Sequence, residues 1–417
     1  MTRGLVTASG RRHSEREQLV RMTRNFFVRF FENDLLAPQA DFHATLSQAL
    51  GLLATPGLFV PMLLLPLLMM DAEAARSWNI KLIFVFFSMA VMGVLSVLEC
   101  DALMLDHRDE SILTPLPVRP RTIFGAKFAA LTIFLVIFSV DVNAGSILLL
   151  PPLETQGRMA GLLNLVRYCV AHAAGTIGAS AFIFLSFVAL QGILINTCKP
   201  KWFRRISTGI QVISILGLLA ALFFFPAILE EMPRWKREGA AMAWYFPPMW
   251  FVGVCEVLQG TADPAFRSVA RMGLIGLAIA GASLTVAYVV AYGRYTRASL
   301  EGAVDASRRA PGPRGFSRLV VRGFLRDPLQ RATFRFSMQT MFRSSKHRLI
   351  LAAYVGTGLA LVLEESVALA FQRGQVWKPA QEVAMLSLPL VISFFLLSGM
   401  RFIFNIPSEL SSTGCFK

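Results

Sequence analysis

Charge is scarce in this sequence: Asp, Glu, Lys and Arg together make up 16% of its 417 residues, against about 25% in a soluble globular protein. Histidine and cysteine are scarcer still, at five each. His13, His43, His107, His172 and His347 are scattered and form no ligand set. Cys100, Cys169, Cys198, Cys255 and Cys415 are odd in number, widely spaced and without a C-x-x-C pair. That pattern argues against a disulfide framework and against a zinc site. Cys169 and Cys198 fall at or near the two ends of one expected helix and cannot bridge. Signatures of catalysis are missing too. No G-x-x-x-x-G-K-[ST] loop occurs, no H-E-x-x-H, and no G-x-S-x-G in a strand–turn–helix context. His107-Arg108-Asp109 matches a kinase tripeptide by its letters alone, with no Gly-rich loop or metal-binding Asp in context. The residues therefore predict no enzyme, no metal and no cofactor held by this chain. A cleavable signal peptide is not expected either, because the first apolar run begins near His43, after a long polar segment.

What the sequence has in abundance is apolar residues, 55% of the total. They cluster in runs of about 20, separated by short polar loops, and a run of that length crosses a ~30 Å hydrocarbon layer as a helix. Spanning strands would show ~10-residue alternating segments, which are not seen. The expected fold is all-α: a polytopic transmembrane helix bundle of about eight spans with an N-terminal amphipathic interfacial helix. The spans fall near 45–69, 81–98, 127–150, 168–195, 206–229, 270–292, 349–363 or on to 371, and 383–404. Pro56, Pro61 and Pro66 predict kinks in the first, since neighbouring helices can satisfy the freed carbonyls. Over 15–36, Val20, Phe26, Phe27, Phe30, Phe31 and Leu35 recur at helical spacing with Arg21, Arg24 and Arg29 between them. Such a helix lies in a membrane surface or packs on a partner. The organisation that follows is a cytoplasmic N-terminus with this helix (1–44), a six-span unit (45–293), a basic cytoplasmic loop (294–348), and two further spans with a short tail (349–417).

The net charge of +15 resides in the loops, so it reads as topology rather than as a nucleic-acid surface. With the N-terminus placed in the cytoplasm, the 41 Lys and Arg residues divide 30 inside to 11 outside. The positive-inside rule then predicts a multi-pass protein of the cell (inner or plasma) membrane with both termini cytoplasmic. The outer 230–269 segment carries Trp235, Trp244, Tyr245, Phe246, Pro247, Pro248, Trp250 and Phe251. It is expected to form one or two short helices on the outer surface or a partial re-entrant hairpin.

Gly175, Gly178, Gly273, Gly276, Ala280 and Gly281 mark expected helix-packing faces. Asp141, beside Asn143, and His172 are ionisable residues within spans, and a charge there costs ~2.5–3.5 kcal/mol. They are candidates for an intramembrane polar pair, lining a translocation path, relaying protons, or serving as a structural hydrogen bond. Residues 330–348 echo the basic, aromatic stretch that leads into the first span, hinting at a second unit cut short. The tail from Ser411 to Lys417 is expected to reflect a truncated or frame-shifted C-terminus.

The loop from Glu99 to Lys127 is the most informative stretch. Acidic residues come first, then Leu116-Pro117-Val118, then basic residues and Lys127 at the mouth of the next span. Prolines stop helices, so the expected shape is a short helix, a turn and a return, suited to docking a cytoplasmic partner. Glu110, Leu113, Leu116, Pro117, Val118, Ile123 or Phe124, and Lys127 reproduce a pattern found after the second span in permease subunits of type-2 ATP-binding-cassette (ABC) transporters, and the chain resembles that family. Phe246-Pro247-Pro248-Met249-Trp250-Phe251 followed by Gly260, and the amphipathic helix before the first span, extend the likeness over roughly 15–293. The seventh and eighth spans depart from a six-span pattern and fit a larger, fused variant. The resemblance implies an exporter without its own engine. A separate cytoplasmic ABC ATPase would supply ATP hydrolysis, docking on Asp109, Glu110, Leu116, Pro117 and Val118. Lipid, and a second copy or second permease half, would be the other partners. The alternative is a multi-pass membrane protein with an assembly, stress or lipid-modifying role, for which His107-Arg108-Asp109-Glu110 is the one polar group on offer. A secondary transporter driven through Asp141 is a further one.

Overall fold

The computed structural model describes residues 8–29, 42–70, 76–98, 119–155, 161–198, 200–238, 245–261, 263–301 and 351–358, with Asp327, Arg331 and Leu349. These residues are almost entirely helical, with no strand among them. The helices are α1 (Ala8–Arg29), α2 (Phe42–Met70), α3 (Trp78–Leu98), α4 (Pro120–Thr155), α5 (Leu162–Thr197), α6 (Pro200–Glu238), α7 (Pro247–Gln259) and α8 (Pro264–Glu301). Four of them open on proline. The ring fixes φ for the first helical turn, where the missing N–H has no intrahelical partner anyway. At α8 the Asp263 carboxylate adds a cap, accepting from the Ala265 N–H at 2.9 Å.

Five stretches are long and apolar enough to cross a membrane: Trp78–Leu98, Arg121–Thr155, Leu162–Thr197, Ile206–Pro226 and Pro264–Ala291. They coincide with the second to sixth expected spans. The chain is a membrane-embedded α-helical protein. α2 covers the first expected span and stays helical through Pro56, Pro61 and Pro66, with a short apolar stretch at Gly57–Pro66. Leu349 and residues 351–358 are helical where the seventh begins, and the eighth lies outside the described residues.

Two compact units emerge, Met1–Phe203 with Leu229–Ala303, and Arg204–Ile228 with Val304–Lys417. In the second, a Cβ at Gly356 would strike the Leu216 side chain of α6, so a glycine seats the two helices closely.

In the first unit α3, α4, α5, α7 and α8 pack around one another, while α1 and α2 pack along α4. Along the first half of α4 the core is largely aromatic: Phe26, Phe27, Phe124, Phe134, Phe138, Phe184 and Tyr288 are buried together with Ile123. Tyr288 of α8 meets Phe124 and Phe128 of α4 edge-on, at 6.2 and 5.9 Å between centroids. α1 is held here, with the Lys127 ammonium 4.9 Å from the Phe26 ring centroid and Leu19 against Gly125. The face α1 buries therefore runs through Leu19, Met22, Phe26 and Phe27. Val20 was expected on that face but is 65% exposed, because at about 100° per residue it falls at the edge of the stripe, just beyond Phe27 and on the side of Arg24.

Large apolar side chains also point outward, among them Phe59, Met62 and Leu63 on α2 and Leu274, Ile275, Ile279 and Val286 on α8. Patches of that extent are rare on soluble proteins. On a membrane-length helix such as α8 they suit contact with acyl chains.

Glycines set the closest approaches. Gly57 of α2 and Gly145 of α4 face each other's backbones, and a Cβ on Gly145 would lie 2.6 Å from the Gly57 carbonyl oxygen. A Cβ on Gly175 would run into Cys255 and come within 2.9 Å of the Phe251 carbonyl oxygen, seating α7 on α5. Gly253 meets Phe266, Val269 and Ala270, and Gly273 meets Trp250, seating α7 on α8. The expected packing faces at Gly175, Gly178, Gly273 and Gly276 are therefore real contacts, whereas Gly281 faces open space.

Candidate functional site

The polar interior of the first unit begins where α3 starts, α4 ends and α7 ends. Lys81 lies one turn into α3 and is 2% exposed. Its ammonium is 2.6 Å from Glu256 Oε1 on α7 and 3.8 Å from Glu154 Oε2 on α4, and it donates to Gln259 Oε1 as well. Gln259 Nε2 donates to Glu154 Oε2 at 2.8 Å, and the Thr261 hydroxyl donates to Glu256 Oε2. One ammonium thus serves two carboxylates that belong to different helices. The ammonium desolvates fully, a cost of several kcal/mol that close pairing and hydrogen bonds must offset.

Local sequence puts these groups there. α7 ends because Gly260 adopts the left-handed conformation at φ 87°, which glycine takes without strain. That turn brings Thr261 back under Glu256, and Arg167 of α5 donates to the Leu258 carbonyl at 2.8 Å, closing the frayed end. On α4, Glu154 follows the proline pair Pro151-Pro152 in the last turn. Its backbone carbonyl accepts from Arg76 Nε at 3.3 Å, and its second carboxylate oxygen, Oε1, is buried without a hydrogen-bond partner among the described residues.

Deeper in the bundle a chain of small polar groups joins α4, α5 and α3. Asn143 Nδ2 donates to Ser139 O at 2.7 Å and to Ser180 Oγ at 3.3 Å. Ser88 Oγ lies 2.5 Å from Ser180 Oγ and donates to the Thr176 carbonyl at 3.1 Å. Because the Ser88 proton is committed to that carbonyl, Ser180 must be the donor between the two serines. The order Asn143, Ser180, Ser88, Thr176 is then a single directional relay of hydrogen bonds.

Between relay and ion cluster sits His172 of α5, fully buried, its ring edge-on to Phe84 at 5.8 Å. Both of its nitrogens lack a hydrogen-bond partner among the described residues. Asp141, half-buried on α4, has its Oδ2 likewise unpartnered. These two are therefore not hydrogen-bonded to each other. The polar residue of α4 that does reach α5 is Asn143, two positions on and on the buried face. Cys255, next to Glu256, is buried against Gly175, and burial pushes its thiol up to about 12. Cys169 and Cys198 are free thiols at the two ends of α5, as their spacing predicts.

Asp109, Glu110, Leu116, Pro117 and Val118 of the expected docking loop lie outside the described residues. What is described is its frame: α3 ends at Leu98, α4 starts at Pro120, and α1 lies against the first turns of α4.

Sequence reasoning did not single out Lys81, Glu154, Glu256 or Gln259. One signal was present: Lys81 shares a helical face with Ser88 and Met92, at i+7 and i+11, all of them buried. No family model, no curated protein and no solved structure matches this chain.

Proposed function

We propose that this chain is the membrane permease subunit of an ATP-driven ABC transporter, an exporter energised by a separate cytoplasmic ATPase, with both termini on the cytoplasmic side of the cell membrane. The mooring of α1 supports this reading most. It fixes an amphipathic helix to the opening turns of α4 through Phe26, Phe27 and Lys127, directly after the loop that carries Glu110, Leu116, Pro117 and Val118. Arg16, Arg21 and Arg24 stay exposed on its outer side. A partner pressing on loop and helix together would push on α4 as a rigid lever. α4 carries that displacement to Asn143 in the relay and to Glu154 in the ion cluster, both on buried faces of the same helix. In this reading the ATPase is a separate chain, because the sequence carries no nucleotide-binding loop.

The test is copurification. The tagged chain, extracted in mild detergent from its native host, is compared with the Glu110→Lys, Pro117→Ala double variant. A P-loop ATPase that accompanies the wild type and is lost from the variant is the expected result. Absence of any ATPase from the wild-type preparation refutes the reading.

A further inference from the structure

α4 and α7 share no packed interface among the described residues. They are joined through polar side chains: Gln259 reaches Glu154, and Lys81 of α3 reaches both helices. α7, by contrast, is seated on α5 and α8 through glycine contacts at Gly175, Gly253 and Gly273. At this end of the bundle, then, α4 and α7 each pack on α5, but they meet one another through the ion network and through little else. The network is also unevenly satisfied. Glu256 has Lys81 at 2.6 Å and the Thr261 hydroxyl. Glu154 has the ammonium only at 3.8 Å, and its Oε1 has no hydrogen-bond partner among the described residues.

We infer that Lys81 is the hub of an exchangeable latch between α4 and α7, paired with Glu256 when the latch is closed and passing to Glu154 when the two helices part. The exchange answers the physical difficulty of opening such a boundary. Separating a buried lysine from its carboxylate leaves an unpaired charge, which costs several kcal/mol. Here a second carboxylate with a bare oxygen waits within a side-chain rotation of the ammonium. Opening therefore transfers the pair and does not break it, and the released Glu256 meets the water that enters. Buried ion pairs add little net stability compared with apolar packing, and their better attested use is in register and switching. The latch is a property of the helices around it and stands whether or not an ATPase docks on the chain.

Cys255 reports the state of the latch, because it is the neighbour of Glu256, fully buried, and unreactive as a protonated thiol. The full chain, with Cys100, Cys169, Cys198 and Cys415 replaced by alanine, is placed in lipid nanodiscs. Its modification by a membrane-impermeant methanethiosulfonate is then timed. The wild-type background should react slowly. Glu256→Gln weakens only the closed state and should speed the reaction about tenfold or more, equivalent to ~1.4 kcal/mol on opening. Glu154→Gln keeps a hydrogen bond to Gln259 but removes the partner of the open state, so it should slow the reaction below the wild-type rate. If Glu256→Gln does not survive purification, Thr261→Val, which withdraws only the hydroxyl that steadies Glu256, should raise the rate in its place. Opposite signs for the two glutamates are required. A change in the same direction for both, no change for either, or rapid reaction of the wild-type background overturns the latch.

Discussion

Replacing Lys81 by methionine keeps most of the side-chain volume and removes the charge. The two carboxylates it serves are themselves buried, Glu154 at 1% exposure and Glu256 at 6%, so solvent does little to compensate them. Removing one partner of such a pair costs ~3–5 kcal/mol. For a cooperative unit of this size, 1 kcal/mol moves the unfolding midpoint by about 2–4 °C, so Lys81→Met should lower the apparent Tm by roughly 6 °C or more. The assay is fluorescence-detected size exclusion after heating in detergent. Lys127→Met is the control. That lysine is buried too and lies over the Phe26 ring, an interaction of ~0.5–2 kcal/mol, and its midpoint should fall less. A triple variant, Lys81→Met with Glu154→Gln and Glu256→Gln, removes the charges together and should regain at least half of the loss, because the penalty comes from the orphaned carboxylates and not from missing attraction. A Lys81→Met midpoint within a degree or two of the wild type would refute the buried network. A triple variant worse than the single one would refute its electrostatic origin.

Two more outcomes follow from packing and burial. Gly175→Ala drives a Cβ into Cys255 and towards the Phe251 carbonyl and should cost ~1–3 kcal/mol in the same thermal assay, whereas Gly281→Ala, with open space around it, should be neutral or stabilising by up to ~1 kcal/mol. Cys255 gives a pH dependence with a definite sign. Its thiol is held up to about 12 by burial, while in the unfolded chain it ionises near ~8.5. The neutral thiol's contribution is whole below the unfolded value and is lost as pH rises from there towards the folded one. The stability difference between wild type and Cys255→Ala should therefore shift against the wild type between pH 8 and 10, and a difference that stays flat over that range contradicts the burial.

The bundle was legible in the sequence because the hydrocarbon layer demands long apolar runs, and those at 81–98, 127–150, 168–195, 206–229 and 270–292 became five membrane-length helices. Their ends were less legible. α4 starts at Pro120 and α5 at Leu162, several residues outside the apolar windows, since a helix continues wherever its backbone is satisfied and hydropathy marks only the part facing lipid. Glycine faces were readable from small residues at helical spacing. The polar site was not. Lys81 and Glu154 each sit at the margin of an apolar run, where a charge reads as a boundary marker. Glu256 lies in a short aromatic segment that reads as an outer-surface helix or a partial re-entrant hairpin, where a carboxylate is expected to meet water. Their partners stand 175 residues apart for Lys81 and Glu256 and 105 for Glu154 and Gln259, a separation that no local pattern records. Asp141 drew the eye as the charge in mid-span, but the buried face of α4 belongs to Ser139, Asn143 and Ser146.

The short length of α7 has a consequence for how the protein is made. Thirteen residues rise about 20 Å, too little to cross a ~30 Å layer, so α7 leaves the ribosome as a segment that cannot be threaded across by itself. Its seats are Gly175 on a helix already synthesised and Gly273 on one still to come. The seat of α7 is therefore complete only once α8 has followed it. Until then Lys81 of α3 has only Glu154 of α4 among its two carboxylates, so the pair with Glu256 is the last of the cluster to form.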